Sequence, residues 1–169
     1  MKFKDIKPFS EARYGVDIMW NYLEHWIDHH NKEGSTFDMD PDFQRAHVWS
    51  EKQQIRFVEF CLRGGQSGRQ IYMNSIGWNH GIISPIVVVD GKQRLTAVLR
   101  FLRNEIPAFG TFLKDYEGHL SHGLAFRFNI NDLPTHDKVI EWYLDLNDGG
   151  IAHTPEEIAR VRNLLKEPK

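Results

Sequence analysis

The sequence predicts an α+β fold, a small mixed β-sheet flanked by helices. Helix-period runs stand before, between and after shorter apolar runs of strand character, and the chain shows neither an internal repeat nor a low-complexity tract. Its 169 residues, 41% hydrophobic and 12% aromatic, suit one domain over 1–169 with a core of its own.

The elements follow in chain order. "VDIMWNYLEHWIDHH" (16–30) puts Val16, Met19, Trp20, Leu23, Trp26, Ile27 and His30 at helical spacing, and Gly34 stops the run. "FDMDPDFQRAHVW" is turn-rich. Ser50 then opens a second helix with Gln53 completing a capping box; its apolar stripe is Ile55, Val58, Phe60, Cys61 and Leu62, and Gly64 and Gly65 end it. Residues 70–76 and 85–90 read as strands, and the uniformly apolar Ile86–Val89 as a central one. A helix follows from Lys92, then strands over 109–113 and 124–130. Two helices close the chain, "THDKVIEWYLDLN" and "TPEEIARVRNLLKE", the second with Thr154 as cap, Pro155 at its first position and Glu157 completing the box.

Charge and cysteine usage narrow the function classes. No stretch has the length and apolarity of a membrane span, and "MKFKDIKPFSEARYG" lacks the apolar centre of a signal peptide, so a soluble cytoplasmic protein with no membrane partner is expected. The single cysteine, Cys61, rules out an internal disulfide or a multi-cysteine zinc site and reads as a buried, inert thiol. His25 and His29 stand at i and i+4 but lack the glutamate of a zincin motif and a third ligand, so a solvated helix face is the reading. A net charge of −2 argues against coating nucleic acid by bulk electrostatics. Its distribution is uneven: residues 45–103 hold nine basic residues against Glu51, Glu59 and Asp90, or +6, which leaves −8 for the rest. An anion-facing middle is one source of that asymmetry and solvated helix faces another.

The chemistry concentrates in "VVVDGKQRLTAVLRFL" (87–102). A strand runs into Gly91, and a helix begins at once. The first turn of a helix carries unpaired N–H groups and the positive end of the macrodipole, which together favour an anion. Lys92, Gln93, Arg94 and Thr96 supply a point charge, an amide, a planar fork and a hydroxyl there. Cations at a helix N-terminus oppose the dipole unless an anion offsets them. The alternative is a strand-to-helix turn capped by Asp90 with its basic residues in water. Neither a Walker A loop nor GxGxxG occurs in the chain.

Three blocks resemble one family. "VVDGKQRLTAVLRFL" resembles the VDGQQRLTT signature of the N-terminal domain of GmrSD-type modification-dependent restriction endonucleases, and "PDFQRAHVWSEKQQIRFVEFCLRGG" resembles the block before it. "LDLNDGGIAHTPEEIARVRN" is similar to the family's late asparagine and glycine segment; in order, the three cover about 37–165. Gly91, Arg94 and Ala97 also match the G-x-x-R-x-x-A phosphate motif of the ParB and sulfiredoxin-like superfamily, which implies that fold.

The resemblance implies a nucleotide-binding and NTP-hydrolysing ParB-like domain that acts in DNA restriction or phage defence, with Mg²⁺ and with DNA or a separate nuclease subunit as partners. Asp90, Gly91, Gln93, Arg94 and Thr96 match the signature, with Lys92 where the family usually has glutamine. Gln44 and Arg45 match the upstream pair, Trp49 its tryptophan, and Asn147 and Gly150 the late block. On this reading Asp90 holds Mg²⁺ through water or orients Arg94, Lys92 and Arg94 neutralise phosphate charge, and Arg45 approaches from the opposite wall unless it pairs with Asp40 or Asp42. Glu59 is the candidate for positioning water, with an exposed helix acid as the alternative; the family has a small hydroxyl residue where Phe60 follows it. Trp49 is read as core or base platform, Asn147 as ligand or turn residue. The scattered histidines give no reason to expect an HNH nuclease, and Cys61 lies too far from the motif for a sulfiredoxin-like reductase. Two other readings stay open: a DNA-binding or nuclease module that contacts the backbone through 45–103, and an interaction protein that has lost turnover.

Overall fold

The computed structural model describes residues 10–32, 35–44, 48–80, 84–148 and 155–164. Its elements, in chain order, are β1 (Tyr14–Met19), α1 (Trp20–Lys32), β2 (Phe37–Asp38), α2 (Glu51–Leu62), β3 (Gln70–Asn74), β4 (Ile86–Asp90), α3 (Lys92–Leu102), β5 (Ala125–Asn131), α4 (His136–Asp148) and α5 (Pro155–Leu164). One five-stranded mixed sheet has the order β1-β5-β3-β4-β2. β1 is antiparallel to β5 and β3 to β4, while β3 runs parallel to β5 and β2 parallel to β4. This is the α+β fold expected.

Two cores explain why β4 is apolar from Ile86 to Val89. Alternate strand residues face opposite sides of a sheet, and here both sides are covered. Ile86 and Val88 join the larger core with Ile71, Met73, Phe126 and Phe128 under α1, α2 and α3. Val89 joins the smaller one with Val139, Ile140, Trp142, Tyr143 and Val161 of α4 and α5. β4 is fourth in the sheet, an interior strand between β3 and β2 as its apolar run predicts, although β2 pairs only with Ile86 and Val87. Beyond Val87 no strand among the described residues pairs with that side of β4, and the Gln44 side-chain amide donates to the Val88 carbonyl there.

The local signals at α2 hold. The Ser50 hydroxyl accepts from the Gln53 N–H and the Gln53 side chain accepts from the Ser50 N–H, the reciprocal box the spacing predicts. Val58 and Cys61 are fully buried, and burial raises the Cys61 thiol pKa against the lowering effect of Arg69. Phe60 leaves the predicted stripe: it is 44% exposed.

Three further expectations are corrected. The first helix begins at Trp20, because Tyr14–Met19 pairs residue by residue with β5 from Ile130 to Ala125. Residues 109–113 are not a strand: Phe109 (φ 49°) and Gly110 (φ 76°) close a two-residue turn between Ala108 and Thr111, whose N–H groups each donate to the other's carbonyl. A short 3₁₀ turn, Leu113–Asp115, follows. Asp90 does not cap α3; Gly91 occupies that position with φ 104° and no side chain caps the helix. The Thr154–Glu157 box and Gly149–Gly150 lie outside the described residues.

Among the described residues no helix is long and apolar enough to cross a membrane.

Candidate phosphate site at the start of the third helix

The site is built where β4 ends. Gly91 reverses the chain into α3 in the left-handed region, which a side chain enters only at a cost. A Cβ at Gly91 would also stand 2.5 Å from Cδ1 of Ile71 and 3.3 Å from its Cα. The glycine therefore meets two demands, backbone conformation and close packing on β3. It brings the uncapped first turn of α3 to the open side of β4.

A cavity of about 130 Å³ lies there, lined by Gln44, Trp49, Asp90, Lys92, Arg94 and Asn147, with Val89, Gly91, Gln93 and Tyr143. Residues from four separate regions of the chain thus converge on one helix start. Each is held. Arg94 Nη2 donates to Asp90 Oδ2 at 2.6 Å and to the Gln70 carbonyl at 3.1 Å. Its Nε is buried without a hydrogen-bond partner, so part of its donor capacity is unused. Lys92 is buried and its ammonium pairs with Asp40, whose side chain is 77% exposed. The extra charge that Lys92 adds relative to the family's glutamine is therefore already compensated.

Gln93 ties two segments together. Its Oε1 accepts from the N–H groups of Val48 and Trp49, both at 3.1 Å, which fixes the residues just before α2 against α3. Asn147 Nδ2 donates to the Tyr143 carbonyl at 2.6 Å, one turn back in α4. Asn147 is thus a helix residue on the cavity wall and not part of a turn.

Two candidates stand elsewhere. Thr96 is half-buried one turn further along α3 and is not among the lining residues. Glu59 lies on a different groove, lined also by Arg56, Phe60, Arg63 and Phe109, and its Oε1 accepts from the Phe109 N–H at 2.8 Å. Arg45 lies outside the described residues; Asp42, one of its expected partners, meets His136 at 2.9 Å. Among the described residues there is no group of three or more His, Cys, Asp or Glu that could hold an ion.

Sequence reading missed three contributors. Tyr143 of α4 lines the cavity while packing in the smaller core, and no motif singles it out. Asp40 finds Lys92 across 52 residues, too far for any local pattern. Arg160 of α5 donates to the carbonyls of Asp42, Phe43 and Gln44 at 2.9, 3.3 and 3.1 Å and so braces the segment that carries Gln44.

Comparison with known proteins returns one family. The model described as "GmrSD restriction endonuclease, N-terminal domain" matches residues 23–124, which include the upstream block and the whole β4–α3 junction but not the late block. No curated protein and no solved structure gives a match. More than half of the chain falls within the family match, and the match includes eight of the ten residues that line the cavity, all but Tyr143 and Asn147. The chain therefore belongs to the family of N-terminal domains of GmrSD restriction endonucleases, and its role is a restriction-related one.

Proposed function

We propose that the domain binds a nucleoside triphosphate with its phosphates at the start of α3, and that this binding governs a DNA restriction activity. The observation that carries the reading is the uncapped helix N-terminus facing a cavity lined by Lys92 and Arg94. Free N–H groups and the helix dipole favour an anion, and two cations with the amides of Gln44, Gln93 and Asn147 add donors of the type that phosphate oxygens accept from. At about 130 Å³ the cavity is smaller than the several hundred Å³ of a typical whole-ligand pocket, so it suits phosphate groups with the nucleoside outside it.

Each residue then has a task. Arg94, aimed by Asp90, neutralises charge on the terminal phosphates, and Lys92 shares its ammonium between Asp40 and phosphate. Gln93 couples the occupied site to the segment before α2. Asp90 is a single carboxylate, which fits a Mg²⁺ that arrives on the phosphates and keeps most of its waters. Such an ion would supply charge neutralisation on the phosphate oxygens. Water activation has no candidate in the cavity beyond Asp90, so slow turnover is expected.

Titration calorimetry of the whole chain with each NTP, with and without Mg²⁺, tests the proposal. Saturable binding of at least one NTP is expected, stronger with Mg²⁺. Absence of binding by every NTP overturns it.

A further inference from the structure

A second site is visible away from the α3 N-terminus, in the groove of about 610 Å³ between the end of α2 and the 108–111 turn. Its walls carry two exposed aromatic rings, Phe60 at 44% and Phe109 at 54% exposure, beside Arg56 and Arg63.

The positive charge of the middle segment collects here. Lys92, Arg94, Arg100 and Arg103 are ion-paired to Asp90, Asp40, Glu24, Glu51 or Glu105. Arg69 is buried, donating to the Cys61 and Gly123 carbonyls at 2.8 Å. The basic residues of 45–103 that remain exposed and make no ion pair, among the described residues, are Lys52, Arg56 and Arg63. Their spacing puts them on one face of α2. Glu59 offsets one of these charges at the groove, and the stripe stays positive.

The rings are held, not merely exposed. Phe109 has φ 49°, a backbone region that non-glycine residues avoid, in a turn type that prefers Asn, Asp or Gly at that position. Both polar atoms of the Ala108–Phe109 peptide are anchored by side chains. The Tyr116 hydroxyl donates to the Ala108 carbonyl at 2.5 Å, and the Phe109 N–H donates to Glu59 at 2.8 Å. Phe60 lies flat on Gly65: a Cβ there would stand 2.4–2.5 Å from three consecutive ring atoms at once, a position over the ring face. A protein that holds a phenylalanine in a disfavoured conformation at an exposed turn tip spends stability on presenting that ring.

We propose that this groove binds unpaired nucleotides of a nucleic acid strand, with phosphates on Arg56 and Arg63 and bases stacked on Phe60 and Phe109. Aromatic faces beside uncompensated guanidinium groups are the combination that single strands use, since every base has a face to stack and every linkage a charge. An apolar protein surface would leave both guanidinium groups without counter-charge. Glu59 is then a positioning residue for Phe109. The site is independent of the proposed NTP site.

Fluorescence anisotropy of a short labelled oligothymidylate at low salt, against the same strand annealed to oligoadenylate, tests the assignment. The single strand is expected to bind more tightly than the duplex. Phe109→Gly should weaken it about tenfold, one lost stacking contact, while raising the Tm because glycine relieves the backbone. Arg56→Ala with Arg63→Ala should flatten the salt dependence by about 1.4 in log–log slope, about 0.7 for each lost phosphate contact. Arg94→Ala should leave oligonucleotide binding unchanged. No binding at low salt, equal binding of duplex, wild-type affinity in Phe109→Gly, an unaltered salt slope in the double variant, or loss only in Arg94→Ala would each overturn the proposal.

Discussion

Gly91→Ala is expected to destabilise the domain by about 2 to 5 kcal/mol, the sum of entering the left-handed region and of overpacking a filled site. The new Cβ would meet Cδ1 of Ile71 at 2.5 Å, and Ile71 has no room to retreat, being fully buried in β3. Its Cα at 3.3 Å is backbone, fixed by pairing of β3 with β5. For a domain of this size the loss corresponds to a Tm lower by roughly 5 to 20 °C. Gly118→Ala is the control. Gly118 has φ 88° but nothing within 4 Å of an added Cβ, so only the conformational cost of about 1 to 2 kcal/mol applies. Thermal unfolding of the two variants measures the difference directly; equal losses would mean that the Ile71 contact is not what requires glycine at 91.

Arg94→Ala is expected to weaken NTP binding by about 10- to 100-fold, the worth of one hydrogen-bonded charge at about 1.5 to 3 kcal/mol. Its fold should survive. The side chain is 24% exposed and its strongest partner, Asp90, is itself 37% exposed, so Asp90 can turn to water once Arg94 is gone. The effect should therefore appear in calorimetric affinity with little change in Tm. An Arg94→Ala variant that unfolds early, or that binds as wild type, would show that Arg94 serves only to brace β3 through the Gln70 carbonyl.

What sequence could read here depended on distance along the chain. The α2 cap was legible because Ser50 and Gln53 meet within one turn. The strand, glycine and basic-helix order of the β4–α3 junction was legible for the same reason. β1 was not: Val16 and Met19 fit the helical pattern that continues from Trp20, and only pairing with β5, over a hundred residues later, makes them strand. β2, at two residues, is too short to show a period.

The site shows the same division. Asp90, Gly91, Lys92, Gln93 and Arg94 are contiguous, and their convergence follows from one turn. Gln44, Trp49 and Asn147 join them through tertiary packing that the family's motifs implied but no spacing could show. Glu59 illustrates the limit. It lies on the same helix as the capping box, yet which way a helix residue points depends on how that helix is rotated against the sheet, and α2 turns Glu59 toward Phe109. Phe60, which reads as apolar stripe, turns outward with it.

The central claim is that the start of α3 is a phosphate site. A crystal structure of the whole chain with a nonhydrolysable NTP and Mg²⁺ tests it most directly. The triphosphate is expected at the first-turn N–H groups of α3, between Lys92 and Arg94, with the nucleoside outside the cavity. A nucleotide bound elsewhere, or a cavity without phosphate in crystals soaked to saturation, would contradict it.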